Sequence, residues 1–529
     1  MAATASPAAG GAGGAARPPS TEDDRPVTPR MVLIGFLLAL SNFVVTLDMT
    51  IANVSVPHIA GGMAVAVSSG TWVITSYAVA EAICVPLAGW MIGRFGAFRV
   101  LFVSIVGFGV FSALCGLATS LPMLVLFRLG QGFCGGPLMP LSQMMLMRVF
   151  PPRVRGKAMS AWVMTVIVAP ILGPILGGTI SDNWSWRWIF FINVPVVAAI
   201  FIGLRMTLGG RDTETKKLPI DFAGLALLVL WVGAFQLMLD LGRDEDWFNS
   251  TTIVTLGCIA AVGFAVFMIW ELGEAHPVVD LKVFRHRGFS AAAISLTLAF
   301  GTYLASVVIV PQFLQTTMGY TATQAGYVMA FSGVMAIIGA PLVPKVIEYV
   351  DARFVVFFGM LWVAMCSLLR SRWNTDTDFW HFVFPQLIQG LGVACFMLPL
   401  TLISLSSVNP EEVPAAASII SFTRTISNAV GTATITALWD DYSRADRAEL
   451  VGTMNGVNEV TAAMQQHGVS AATAQANIAA MVERQAVTLA TDHTFALSAV
   501  LLMLAACTVW LAPKPARGAK AAEAAAEAH

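Results

Sequence analysis

The sequence predicts an all-α polytopic membrane protein. Fourteen transmembrane helices are expected, as two six-helix bundles with two extra spans between them. Three observations carry this. First, the 529 residues are 57% hydrophobic and only 12% charged, whereas a soluble domain carries roughly 25% charged residues. Second, apolar runs long enough to cross a bilayer, which takes ~20 residues, recur along the whole chain. Third, "RLGQGFCGGPLMPL" (128–141) resembles "QLIQGLGVACFMLPL" (386–400). Aligning Arg128 with Gln386 puts Gln131 on Gln389 and Gly132 on Gly390, with Pro140 and Pro399 one residue out of step. Two related halves around a central site are a transporter architecture.

The first 30 residues are rich in Ala, Gly and Pro and contain Glu22, Asp23 and Asp24, the composition of a disordered cytoplasmic tail. An N-terminal bundle is expected over 31–210, with spans at 31–57, 70–92, 98–119, 122–148, 156–181 and 187–208. The additional pair, 219–241 and 251–272, falls within a linking segment, 211–280. The second bundle, 281–512, has spans at 288–313, 323–345, 353–373, 380–408, 413–439 and 491–512. Within it, 440–490 reads as a long outer loop. Leu450, Met454, Val457 and Met464 fall there at helical spacing, which predicts a short amphipathic helix. A second cytoplasmic tail, 513–529, closes the chain.

Basic residues set the orientation, because cytoplasmic loops carry the excess of Lys and Arg. With the N-terminus inside, 21 of the 30 fall on inner segments and 7 on outer ones, Arg370 among the latter. Both termini are therefore expected in the cytoplasm. The net charge of −1 gives no bulk attraction to nucleic acid. The seven cysteines and seven histidines are dispersed, without metal-ligand spacing, so no metal is expected and the thiols read as buried and inert. No phosphate loop of the G-x-x-x-x-G-K-[ST] type occurs, so neither ATP nor another cofactor is expected, and nothing points to an enzyme.

Few ionisable residues lie deep in spans. A charge at that depth costs at least ~2.5–3.5 kcal/mol and tends to line a functional cavity. Asp48, in "LDMTIANVSVP" (47–57), and Arg128 sit at comparable depth in the outer half of spans one and four, and are expected to pair for proton coupling. Arg128 lowers the pKa of such a carboxyl while desolvation raises it, leaving a group that titrates with conformation. Glu81, Arg424 and Gln131 are candidates for a substrate or proton path. The bland alternative for each deep charge is a buried ion pair that orients helices. In "VIVAPILGPILGG" (166–178), Ala169, Gly173 and Gly177 form one smooth face for close helix approach, and Pro170 and Pro174 are expected to kink the span. The turn "GWMIGRFGAFR" (89–99) holds Gly89, Arg94, Gly96 and Arg99, either as a charged latch or as simple positive-inside orientation.

These motifs, together with "SWRWIFFINVP" (185–195), resemble the major facilitator superfamily. They are most similar to its fourteen-span drug/proton antiporter branch, and especially to EmrB-type inner-membrane exporters. The resemblance implies proton coupling at Asp48 and Arg128, and an antiporter motif at Gly173, Pro174, Gly177 and Gly178. The loop after span two usually reads G-x-L-A-D-R-x-G-R. Here Gly89, Arg94 and Gly96 match, but Gly93 replaces the aspartate and Ala97 the later arginine, so the acidic half of the latch is missing. The resemblance also implies a periplasmic adaptor protein and an outer-membrane channel as partners, with 440–490 as the docking element. The expected function is proton-driven export of hydrophobic or amphipathic drugs across the inner membrane by alternating access. Two alternatives stand beside it: a dedicated exporter of an endogenous metabolite such as a fatty acid or siderophore, and a non-transporting receptor or scaffold.

Overall fold

A computed structural model describes residues 26–208, 215, 219, 221–454, 457–467 and 469–513. Most of both expected tails, and part of the segment joining the first bundle to the extra spans, lie outside them. The described chain is helical throughout. Apolar sequence in a bilayer forces this, because every backbone N–H and C=O must find its partner within the chain.

The first bundle contains α1 (Pro29–Gly62), α3 (Trp72–Phe95), α4 (Ala97–Leu117), α5 (Leu121–Gly135) continued by α6 (Leu138–Val149), α7 (Pro152–Asn183), and α8 (Trp188–Phe191) continued by α9 (Asn193–Leu208); α2 (Val67–Gly70) is a single turn in the connection between α1 and α3. Thr28 caps α1, its hydroxyl accepting from the Met31 amide. Helix therefore begins inside the segment expected to be a tail. Next comes a hairpin of α10 (Phe222–Leu241) and α11 (Thr251–Gly273), lying against α3 and α17 (Val413–Thr453). The second bundle holds α12 (Arg287–Thr316), α13 (Ala322–Gly339) with α14 (Val343–Tyr349), α15 (Ala352–Arg370), α16 (Phe379–Ser406), α17, and α19 (Ala471–Thr508).

Eleven described helices are long and apolar enough to cross a membrane, or twelve if the α13–α14 pair, bent by 46°, is counted as one span. The α5–α6 pair and α17 pack among them but are less apolar. The first is broken at Gly136–Pro137 and carries Arg128, Gln131 and Gln143; the second is rich in Ser and Thr. Both run through the interior, where polar residues are tolerated.

Close approach of helices marks the repeat. A Cβ on Gly132 would strike the carbonyl oxygen of Tyr77 in α3, and one on Gly390 would strike the carbonyl oxygen of Ser332 in α13. Glycines aligned in the sequence thus occupy equivalent crossings in the two halves. The stripe on α7 works the same way against α1. A Cβ on Gly173 would meet Thr50, and one on Gly177 would lie 2.9 Å from the Ile51 carbonyl oxygen, whereas Gly178 faces open space. Between the halves, α3 packs on α17, α7 on α13, and α6 on α17.

The region 440–490 departs from the expected loop. α17 continues to Thr453, α18 (Val457–Gln466) follows, and α19 starts at Ala471. The expected amphipathic helix is divided, with Leu450 on α17 and Val457 and Met464 on α18. Alanine-rich sequence of high helix propensity extends both spans. Cross-links hold them together: Arg447 to Glu483 (3.3 Å) and Trp439 Nε1 to Thr491 Oγ1 (2.9 Å).

Candidate functional site

Asp48 is held by a closed set of polar side chains. Arg128 Nη1 donates to Asp48 Oδ2 at 2.6 Å and to Gln131 Oε1 at 2.9 Å. Gln131 Nε2 donates to Asp48 Oδ1 at 3.0 Å, and Asn193 Nδ2 donates to the same oxygen at 2.6 Å. Asn193 also reaches Ser112 Oγ on α4 at 3.1 Å, and that hydroxyl donates to the Phe190 carbonyl at 2.8 Å. Arg128 Nε donates to the Val73 carbonyl of α3 at 3.0 Å, and the guanidinium lies 4.2 Å from the centre of the Tyr77 ring. Asp48 and Arg128 are 1% and 0% exposed. The pairing expected from depth alone is therefore present. Sequence reasoning does not single out Asn193 and Ser112 as partners. The available signal for Asn193 is an amide inside the otherwise apolar "FFINVP".

The expectation for Arg370, a charge on an outer loop, is corrected. It is 1% exposed, at the end of α15, with its Nη2 donating to Gln386 Oε1 at 2.8 Å and to Gln389 Oε1. Gln386 and Gln389 are the residues aligned with Arg128 and Gln131. In the second half the guanidinium comes from the neighbouring helix, where the first half has Cys115, whose thiol contacts Gln131 at 3.5 Å. A repeat search compares residues along one helix and is blind to such an exchange.

Arg424 is buried on α17 at the junction of the halves. Its Nη2 donates to Thr401 Oγ1 of α16 at 2.6 Å, and its guanidinium lies 5.0 Å from the Trp162 ring centre of α7. Glu81 is buried on α3, one turn beyond Tyr77, with no ion pair or side-chain hydrogen bond among the described residues. Proline does not break α7: the helix runs through Pro170 and Pro174. Cys258 and Cys507 are exposed on their helices, unlike the buried thiols expected.

At the end assigned to the cytoplasm, Gly96 ends α3 with φ +92°, a backbone shape that favours glycine. Arg94 lies near Trp90 (5.8 Å) and Phe95 (5.7 Å). A Cβ on Gly89 would sit 3.1 Å from Ala415 Cα, so the motif carries a tight α3–α17 contact. A cleft of about 550 Å³ opens beside it, lined by Trp90, Arg148, Lys282, Glu411 and Ile419 among others. Nearby, Glu412 at the start of α17 meets Arg285 (2.6 Å) and His286 (2.8 Å) ahead of α12. Partial burial pushes the Glu412 carboxyl up, but hydrogen bonds from His286 and the Asn409 amide, with the Arg285 charge, hold it below its ordinary value. Its stabilising contribution is therefore fully present above the ordinary carboxylate value of ~4.3 and is lost as pH falls through the lowered one. Glu412→Gln is expected to lower the thermal midpoint in detergent at pH 7, with the gap to the parent closing below about pH 4.

A buried ion pair inside one of two packed helical bundles, in a chain with eleven described helices apolar enough to span, marks a polytopic membrane protein with a polar site sealed in its interior. The profile described as Major Facilitator Superfamily matches residues 38–432. The chain is 41% identical over 491 residues to the multidrug export protein EmrB of Escherichia coli strain K12, covering 92% of this chain and 96% of that protein. It is 40% identical to the fatty acid resistance protein FarB of Neisseria gonorrhoeae, covering 90% and 95%. Among solved structures, the proton:xylose symporter XylE superposes with a TM-score of 0.58 at 14% identity, covering 92% of this chain and 96% of that one. The human organic anion transporter MFSD10 gives 0.54 at 15%, covering 90% and 100%. The chain belongs to the major facilitator superfamily, among its EmrB-like members, and its relatives are transporters rather than enzymes.

Proposed function

We propose that the protein is a proton-coupled antiporter that expels hydrophobic or amphipathic compounds across the inner membrane by alternating access, with fourteen spans and both termini in the cytoplasm. One observation carries the reading: a fully buried carboxylate, Asp48, whose one ionic partner among the described residues is Arg128. Protonating Asp48 removes one charge from a dry site and loosens its grip on α5 and α9. Deprotonation on the other side restores the pair and the packing. The site thus ties the ionisation of one group to the arrangement of the helices around it, which is what coupling to a proton gradient demands. The arrangement in two bundles supports rocking about the α3–α17 and α7–α13 contacts.

The names of the relatives support a drug or fatty-acid cargo. The projecting ends of α17 and α19, with α18, offer a surface for a periplasmic adaptor and, through it, an outer-membrane channel. In proteoliposomes with an imposed pH gradient, efflux of a hydrophobic dye is expected to stop when an ionophore collapses the gradient. Undiminished export under those conditions rules out the proposal.

A further inference from the structure

We propose that Arg424 is the docking point for the anionic headgroup, a carboxylate, of an amphipathic substrate. This rests on the exporter reading above and names the chemistry that its central pathway accepts. Arg424 is 1% exposed and lies eleven residues beyond the start of α17 at Val413, roughly 16 Å along the helix at 1.5 Å per residue, close to the membrane midplane. Thr401 is its one hydrogen-bond acceptor among the described residues, and Nε and Nη1, both buried, meet none. No carboxylate pairs with it among the described residues. A buried charge without a counter-ion is strongly disfavoured, and a guanidinium cannot shed its proton to escape. Arg128, equally buried, has Asp48.

What stands in for an anion is the face of Trp162, a cation–π contact that compensates only in part. Trp162 belongs to the first bundle, fixed there by its Nε1 donating to Ser142 Oγ at 2.8 Å. Arg424 belongs to the second. Rocking of the lobes withdraws the ring and opens a space at the guanidinium for an anion. Ser421, one turn earlier on α17, adds a buried hydroxyl that has no partner among the described residues. The planar N–H fork matches a carboxylate in two-pronged fashion. Trp162 and Ile420, the latter one turn before Arg424 on α17, belong to one buried apolar cluster and suit a hydrocarbon tail. Arg370 also lacks a carboxylate among the described residues, but its Nη2 is engaged by Gln386 and Gln389 inside one bundle.

The test compares parent, Arg424→Gln and Arg424→Lys in phosphatidylcholine nanodiscs, binding dodecanoate and its neutral counterpart dodecanamide. Gradient-driven export of both is measured in proteoliposomes from the same preparations. Arg424→Gln is expected to weaken dodecanoate binding roughly ten- to hundred-fold, the range of a hydrogen-bonded charge pair, and to leave dodecanamide unchanged. Arg424→Lys should fall between. Equal binding of dodecanoate by parent and Arg424→Gln, or equal loss for both ligands, overturns the site. So does dodecanoate affinity that falls on adding phosphatidylglycerol in the parent but not in Arg424→Gln, since the site then takes a lipid phosphate. Charge-selective binding without gradient-dependent export counts against the exporter reading and in favour of the site.

Discussion

Proteoliposomes containing Asp48→Asn are expected to bind substrate but to lose its gradient-driven accumulation. The size of the loss follows from the coupling. One charge moved through 100 mV supplies ~2.3 kcal/mol, which sustains a concentration ratio of about fifty-fold at ~1.36 kcal/mol per decade. A carboxamide at this position cannot bind or release a proton, so the variant's ratio should fall to one. The substitution is nearly isosteric, and the amide oxygen can still accept from Gln131 and Asn193, which hold Asp48 Oδ1 at 3.0 and 2.6 Å. Loss of transport from a folded protein is therefore the expected reading. Substrate efflux against a gradient, together with a binding measurement on the same sample, checks it. Accumulation equal to the parent's would mean that the proton travels elsewhere, with buried Glu81 the next group to examine.

The second large effect is on stability. Arg128→Gln strands Asp48 as a buried carboxylate without a cation, and breaking such a pair from one side costs ~3–5 kcal/mol. Asp48→Asn combined with Arg128→Gln removes both charges and should recover most of that loss, because two neutral amides can share the space. Thermal unfolding in detergent would show the single variant well below the parent and the double variant close to it. Transport should stay absent in both. A double variant no more stable than Arg128→Gln alone would show that Arg128 acts through Val73 and Tyr77 rather than through Asp48. The coupling free energy between the two positions is the quantity that separates these cases.

Sequence makes the spans and the principal pair legible for one reason. A bilayer penalises every charge and every unpaired backbone group, so apolar length and the rare deep ions stand out. Asp48 and Arg128 can be matched by counting turns from the span ends. Asn193 cannot, because an amide at the start of a span looks like an interfacial residue until the helices are assembled. Arg370 escapes for a related reason: it sits at the very end of its span, and only packing shows that the end is enclosed by α16 and α19. The segment 440–490 reads as loop because it is polar. Polarity there reflects solvent around the helices and says nothing against helix, and alanine content is the better guide.

α17 runs without interruption for 41 residues, about 60 Å at 1.5 Å per residue, twice the hydrocarbon thickness of ~30 Å. The same rod carries Arg424 along its length and the ion-paired tip beside Glu483 at its far end. Pivoted near Arg424, a tilt of about 10° sweeps that tip through roughly 8 Å, given a lever arm of about 29 residues. In the proposed rocking cycle, whatever grips the tip is dragged along with it, and whatever clamps the tip arrests the motion.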